Sequence, residues 1–168
     1  MPYPTKTNAQ TILDAAMAHL EKFGEEALSM RVLASILGLS PRALYRYYPD
    51  RAALEAAMAT EGFRRLHAVL LEAVGESRGK EALRASAMAY LVFARTHPAW
   101  YALLMRFHVH TPELLQAGHQ MWAFVVELVS QAIGSEHAAI LGEQKPPSGF
   151  QVGLEALLVG LTSFSSHL

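Results

Sequence analysis

The chain contains no cysteine, which excludes a disulfide framework, a thiolate metal site and a cysteine nucleophile. It has no uninterrupted apolar stretch of about eighteen residues, the length a membrane-spanning helix needs. Its opening residues M-P-Y-P-T-K-T-N lack the apolar core of a secretory signal. A cytoplasmic protein with no membrane partner is the expectation. A charge imbalance is also missing: the formal net charge is −1, so overall charge argues for no partner. Paired carboxylates, a nucleophile beside a base and a glycine-rich phosphate loop do not stand out. The expectation is therefore a protein that is not an enzyme and takes no cofactor. Eight histidines are present, among them His108, His110 and His119. Residues two apart diverge on a helix and converge only on a loop, so no metal site is expected.

What is present is apolar residue at helical spacing. The composition, 52% hydrophobic and 17% charged over 168 residues, supplies a sizeable core and argues against disorder. Ile12, Ala16, Leu20 and Phe23 share one face of a helix running from about Thr7 to Phe23, and Gly24 stops it. Ser29 caps the next helix, whose expected buried stripe is Val32, Leu33, Ile36 and Leu37, and Gly38 ends it. Ser40 caps a third helix with Pro41 in its first turn. Leu44 and Tyr48 point inward, and Pro49 stops it. Asp50 caps a long helix to about Val74, in which Gly62 is a candidate bend. Further helices are expected from about Lys80 to Thr96, from Pro98 to about Phe107, from Thr111 to about Ile133, and from Phe150 to Ser165 or beyond. The chain reads as all-α, with no convincing strand.

Charge is unevenly spread along this pattern. Between Ser29 and Arg51 there are four arginines, Arg31, Arg42, Arg46 and Arg51, against the single acid Asp50. From Ala73 to Leu168 the six basic and seven acidic residues nearly cancel. A local basic segment beside a neutral remainder fits a DNA-contacting piece attached to something else. The chemistry agrees. On the short third helix Arg42 and Arg46 lie one turn apart, able to reach guanine O6 and N7 or a phosphate. Ser40, Tyr45 and Tyr47 carry hydroxyls suited to phosphate oxygens, which fix register without reading bases. Arg51 opens the following helix, where outward N–H groups attract anions. Ser29 and Arg31 open the second helix beside the flanking backbone. The competing interpretation is a helical bundle whose arginines are merely solvated. It accounts for any one of these residues more easily than for the whole set.

The stretch L-S-P-R-A-L-Y-R-Y-Y-P-D-R-A-A-L, Leu39 to Leu54, resembles the signature of the TetR family of bacterial transcriptional repressors. The upstream I-L-D-A-A (Ile12 to Ala16), F-G (Phe23-Gly24) and V-L-A (Val32 to Ala34) match the same family's opening helix and turn. The resemblance covers about the first third of the chain. It implies an all-α homodimer: an N-terminal three-helix helix-turn-helix DNA-binding module, residues 1–60, and a C-terminal helical ligand-binding and dimerisation domain, residues 61–168. It implies a palindromic double-stranded DNA operator as partner, and phosphate contacts from Tyr45, Tyr47 and Arg51. Position 47 is often histidine in the family, and tyrosine keeps a donor there.

In the second half, A-R-T-H-P-A-W-Y-A-L-L-M (Ala94 to Met105) is similar to a helix break in one TetR subgroup, which carries a tryptophan and a His-Gly pair in its last helix. Here Gly160 is kept and Val159 replaces the histidine. Trp100, Tyr101, Met105, Phe107, Met121 and Trp122 are candidates to line a pocket for a small apolar or amphipathic effector, against the alternative of ordinary core packing. His97, before Pro98, is expected to cap a helix or pack. Leu114, Leu115, Met121, Val125, Leu128 and Val129, with Val152, Leu157, Leu158 and Leu161, exceed what one side of a small domain buries. A two-fold dimer pairing these helices would use the surplus. A small all-α enzyme and a helical interaction protein that never meets DNA are the two competing functions.

Overall fold

In the computed structural model, residues 7–106 and 111–133 are described. They form seven helices: α1 (Ala9–Phe23), α2 (Met30–Ile36), α3 (Pro41–Tyr45), α4 (Arg51–Val74), α5 (Gly79–Thr96), α6 (Pro98–Arg106) and α7 (Pro112–Ile133). No strand occurs among the described residues. Their starts follow the capping chemistry. Asn8, Ser29, Ser40 and Asp50 each accept, through a side-chain oxygen, the backbone N–H three residues on, satisfying donors that the first turn leaves open. The α2–α3 turn needs a positive φ, and Gly38 supplies it at +65°. The last helix expected from Phe150 lies outside the described residues.

Helices α1, α2 and α3 form a small head closed by Ile12, Ala16, Leu20, Leu33, Ala34, Leu44 and Tyr48, all buried. This core is continuous with that of the remaining helices: the same cluster runs through Leu54, Met58, Phe63, Leu66 and Leu70 of α4 to Trp100, Leu103 and Met121. Helix α4 carries the connection. It stays one unbroken helix through Gly62, the candidate bend. The missing side chain serves packing instead: a Cβ on Gly62 would stand 2.9 Å from Leu104 Cδ2 of α6.

Three other expectations are corrected. Val32 and Ile36 are exposed, and α2 buries Met30, Leu33 and Ala34. Phe23 is also exposed; it is the last residue of α1, and the burial of that face stops at Leu20. In α7, Leu114, Met121, Val125 and Leu128 are buried within the chain itself, against α4 and α5. The apolar area of these four is therefore used inside the monomer, while Val152, Leu157, Leu158 and Leu161 lie outside the described residues.

Candidate nucleic-acid interface and effector body

Helix α3 has five residues, far too few to persist alone. Leu44 anchors it from inside with no accessible surface, while Pro41, Arg42, Tyr45 and Arg46 are exposed around it. The helix ends at Tyr45, earlier than expected, because Arg46 and the following residues form turns. Arg46 still has φ −71° and ψ −24°, so Arg42 and Arg46 keep their one-turn relation. Arg31, Arg42 and Arg46 form no ion pair with any described residue. Their five-donor guanidinium groups are thus open to an external acceptor.

The other expected contact residues are more committed. Ser29 and Ser40 spend an acceptor lone pair on their caps and keep a hydroxyl proton to donate. Arg51 donates to Glu55 Oε1 at 2.6 Å, with Glu25 Oε1 3.6 Å from its Nη2. A phosphate there competes with two carboxylates. Tyr47 donates its only hydroxyl proton to the Thr7 carbonyl at 2.8 Å, and Tyr48 donates to the Ala9 carbonyl at 3.0 Å. Adjacent tyrosines thus staple the end of α3 to the start of α1. Burial, and then the nearby Asp14 charge, pushes the Tyr48 phenol above its usual range, so it stays a donor.

The expected effector residues divide between two places. Trp100 is buried at the seam between head and body, beside Arg65 and His97, along an open groove of about 360 Å³ that Asp14, Met17 and Glu21 of α1 also line. Tyr101, Met105 and Met121 belong to the main core with Tyr90 and Phe124. The Tyr90 and Tyr101 rings meet edge-on at 5.9 Å, and burial, aided by Tyr101, pushes the Tyr90 phenol upward. His67 meets Phe124 edge-on at 5.2 Å, and burial lowers its pKa. Ser86 Oγ and Trp100 Nε1 are buried with no hydrogen-bond partner among the described residues. Phe107 and the Trp122 side chain lie outside what is described. The described residues contain no cluster of three or more potential metal ligands, and none of their helices is long and apolar enough to cross a membrane.

Sequence reasoning placed the junction near Glu61 but missed the ion pairs that surround it. Glu61 is buried yet charged. Burial alone would raise its carboxyl, but hydrogen bonds from Arg64 and Arg65 at 2.6–2.8 Å outweigh that and lower it. The i,i+3 and i,i+4 spacing was the available signal, though nothing local marks Glu61 as buried.

An exposed basic helix, seated by one leucine and held at a glycine turn against two supporting helices, defines a helix-turn-helix DNA-binding regulator. Comparison with known proteins agrees. A family model described as "Bacterial regulatory proteins, tetR family" matches residues 12–58, and one described as "Tetracyclin repressor-like, C-terminal domain" matches residues 83–167. The uncharacterized HTH-type transcriptional regulator YobS of Bacillus subtilis (strain 168) is 28% identical over 153 residues, 90% of this chain and 75% of that one. The tetracycline repressor protein class D of Escherichia coli is 35% identical over 85 residues, 51% of this chain and 38% of the repressor. A solved structure of a protein with unknown function from Rhodococcus sp. RHA1 superposes with a TM-score of 0.69 at 30% identity, covering 99% of this chain and 83% of that one. The chain belongs to the TetR family of bacterial transcriptional regulators.

Proposed function

We propose that this regulator is a repressor that binds a palindromic operator as a homodimer and releases it when a small apolar or amphipathic molecule occupies the body. The observation that carries this reading is the outward face of α3, where Arg42 and Arg46 are exposed beside Tyr45 and form no ion pair among the described residues. Arg42 and Arg46 read bases; Ser29, Arg31, Ser40, Tyr45 and Arg51 hold phosphates. Tyr47 joins them only by giving up Thr7, because a phenol has one proton to donate. The seam between the DNA-binding module and the body lies within α4 near Glu61.

The effector enters the body among Tyr101, Met105 and Met121. Support comes from their packing in one cluster with Tyr90 and Phe124; separately, the unpartnered Ser86 hydroxyl and, at the seam, the Trp100 N–H are buried polar atoms that call for a ligand or water acceptor. Two heads read half-sites in successive major grooves about 34–36 Å apart. An effector that binds more tightly to a form with another head separation depopulates the reading form. The family fold makes a DNA-reading protein a better account than an enzyme or a protein that never meets DNA.

Selection of bound sequences from a random DNA pool tests this. A two-fold symmetric motif with one-turn half-site spacing is expected. Recovery of no motif, together with salt-independent DNA retention, would overturn it.

A further inference from the structure

Two contacts cross from the body to a single face of α1. His97 closes α5, its N–H bonding Phe93 O at 2.8 Å, and its carbonyl accepts the Tyr101 N–H of α6 at 2.9 Å. Its ring lies 5.0 Å from Phe93 and 5.5 Å from Trp100. The ring is therefore fixed by the body on both sides of the α5–α6 break. From there Nδ1 donates to Glu21 Oε1 of α1 at 2.9 Å, across 76 residues of sequence. A carboxylate can only accept, so this nitrogen carries the proton. The second contact runs through Arg65. Its guanidinium lies over the Trp100 ring at 4.8 Å, bonds Glu61 at 2.6 Å, and reaches Asp14 Oδ1 of α1 at 3.6 Å. Asp14 and Glu21 are two helical turns apart, so both sit on the same side of α1. Between them Met17 is buried in the shared core, and the groove opens along the rim of that packing.

We propose that Glu21–His97 and Asp14–Arg65 are a two-point latch that sets the angle of the DNA-reading head on the body, and that these four residues tune half-site spacing without touching DNA. This rests on the DNA-binding reading above. The physical reason is leverage on orientation, not stability. Exposed polar pairs contribute little to folding. But apolar packing is non-directional, whereas two polar contacts two turns apart on one helix face restrict rotation of α1 about its own axis. His97 also sits at the junction of the helix bearing Tyr101 and Met105, so repacking of those residues moves one half of the latch directly.

The test uses the full chain and its selected operator, with variants of that operator whose half-sites are moved apart or together by one or two base pairs. Glu21→Ala removes the acceptor; Glu21→Gln keeps an amide oxygen in its place. Glu21→Ala is expected to weaken the native operator by about tenfold for the dimer, to flatten the preference among spacings, and to shift the melting temperature by no more than about 2 °C. Glu21→Gln restores both affinity and spacing preference. Equal affinities and unchanged spacing preference in Glu21→Ala would overturn the latch while leaving DNA binding intact. If the native chain selects no operator, the DNA-binding reading fails, and the latch with it. A loss in Glu21→Ala that is equal at every spacing, or that Glu21→Gln does not rescue, also overturns it.

Discussion

Replacing Leu44 with alanine separates the two jobs of α3. The helix is five residues long and Leu44 is its one fully buried side chain. Seating depends on that group together with the Tyr48 ring and the Ser40 cap. Leu44→Ala removes the buried methyls and leaves a cavity among residues of the head core, which includes Ile12, Ala16 and Leu33. Such a change at a fully buried leucine costs about 3 kcal/mol. For a chain of this length that is on the order of 6–12 °C in melting temperature. Because the loss falls on the head, operator affinity drops by whatever fraction of heads is no longer folded. Arg42→Ala supplies the contrast. Arg42 is exposed and forms no ion pair among the described residues, so its melting temperature stays within about 1 °C. Its specific operator affinity falls by about 1–3 kcal/mol if it reads a base. Thermal denaturation followed by circular dichroism, with fluorescence anisotropy on operator and random DNA, reads all four quantities. Leu44→Ala melting within about 2 °C of the native protein would refute the claim that one leucine seats the reading helix. Arg42→Ala melting as low as Leu44→Ala would refute the claim that its guanidinium faces outward.

Further outcomes are expected. Arg46→Ala that weakens operator and random DNA equally identifies a phosphate contact, whereas loss on the operator alone identifies base reading. Tyr48→Phe removes the bond to the Ala9 carbonyl and costs about 1 kcal/mol by urea denaturation; no change would mean that water replaces the phenol. Gly62→Ala gains helix propensity but drives a methyl against Leu104, so net stability falls. Pairing it with Leu104→Ala recovers part of the loss in a double-mutant cycle, and strict additivity would refute the close contact. Glu61 has a depressed folded pKa. Its contribution is present above the unfolded value and disappears as pH falls through the lower folded one. Native protein minus Glu61→Gln, in denaturation series across acid pH, isolates that slope. A difference that grows as pH falls would have the wrong sign.

The starts of α2, α3, α4 and α7 were legible because capping is local: a side chain and the N–H three residues later are set by sequence alone. Gly38, Pro41 and the basic residues on α3 were legible for the same reason. The phase of α2 was not. Over seven residues, Met30–Leu33–Ala34–Leu37 and Val32–Leu33–Ile36–Leu37 both meet helical spacing, and hydropathy prefers the second. Packing selects the first, which places the small Ala34 in the buried stripe. Gly62 was ambiguous in a related way, since a glycine that admits a neighbour looks the same in sequence as one that permits a bend. Trp100 was legible as apolar and buried, but its partner Arg65 lies on another helix. The pairs Glu21–His97 and Asp14–Arg65 depend on how α1 meets α4 and α6, which no short-range pattern encodes. Tyr47 was recognised as a donor, and only the fold reveals that Thr7 already accepts its proton.

Helix α4 has 24 residues, a rod of about 36 Å, and Gly62 stands at its middle with Leu104 in the space a side chain there would take. That contact would serve as a fulcrum for any tilt of the rod. A tilt of the rod about it carries Arg51 and Val74 in opposite directions through similar arcs. A displacement of a few ångströms among the body helices would then return at the far end undiminished, as a lever with equal arms requires.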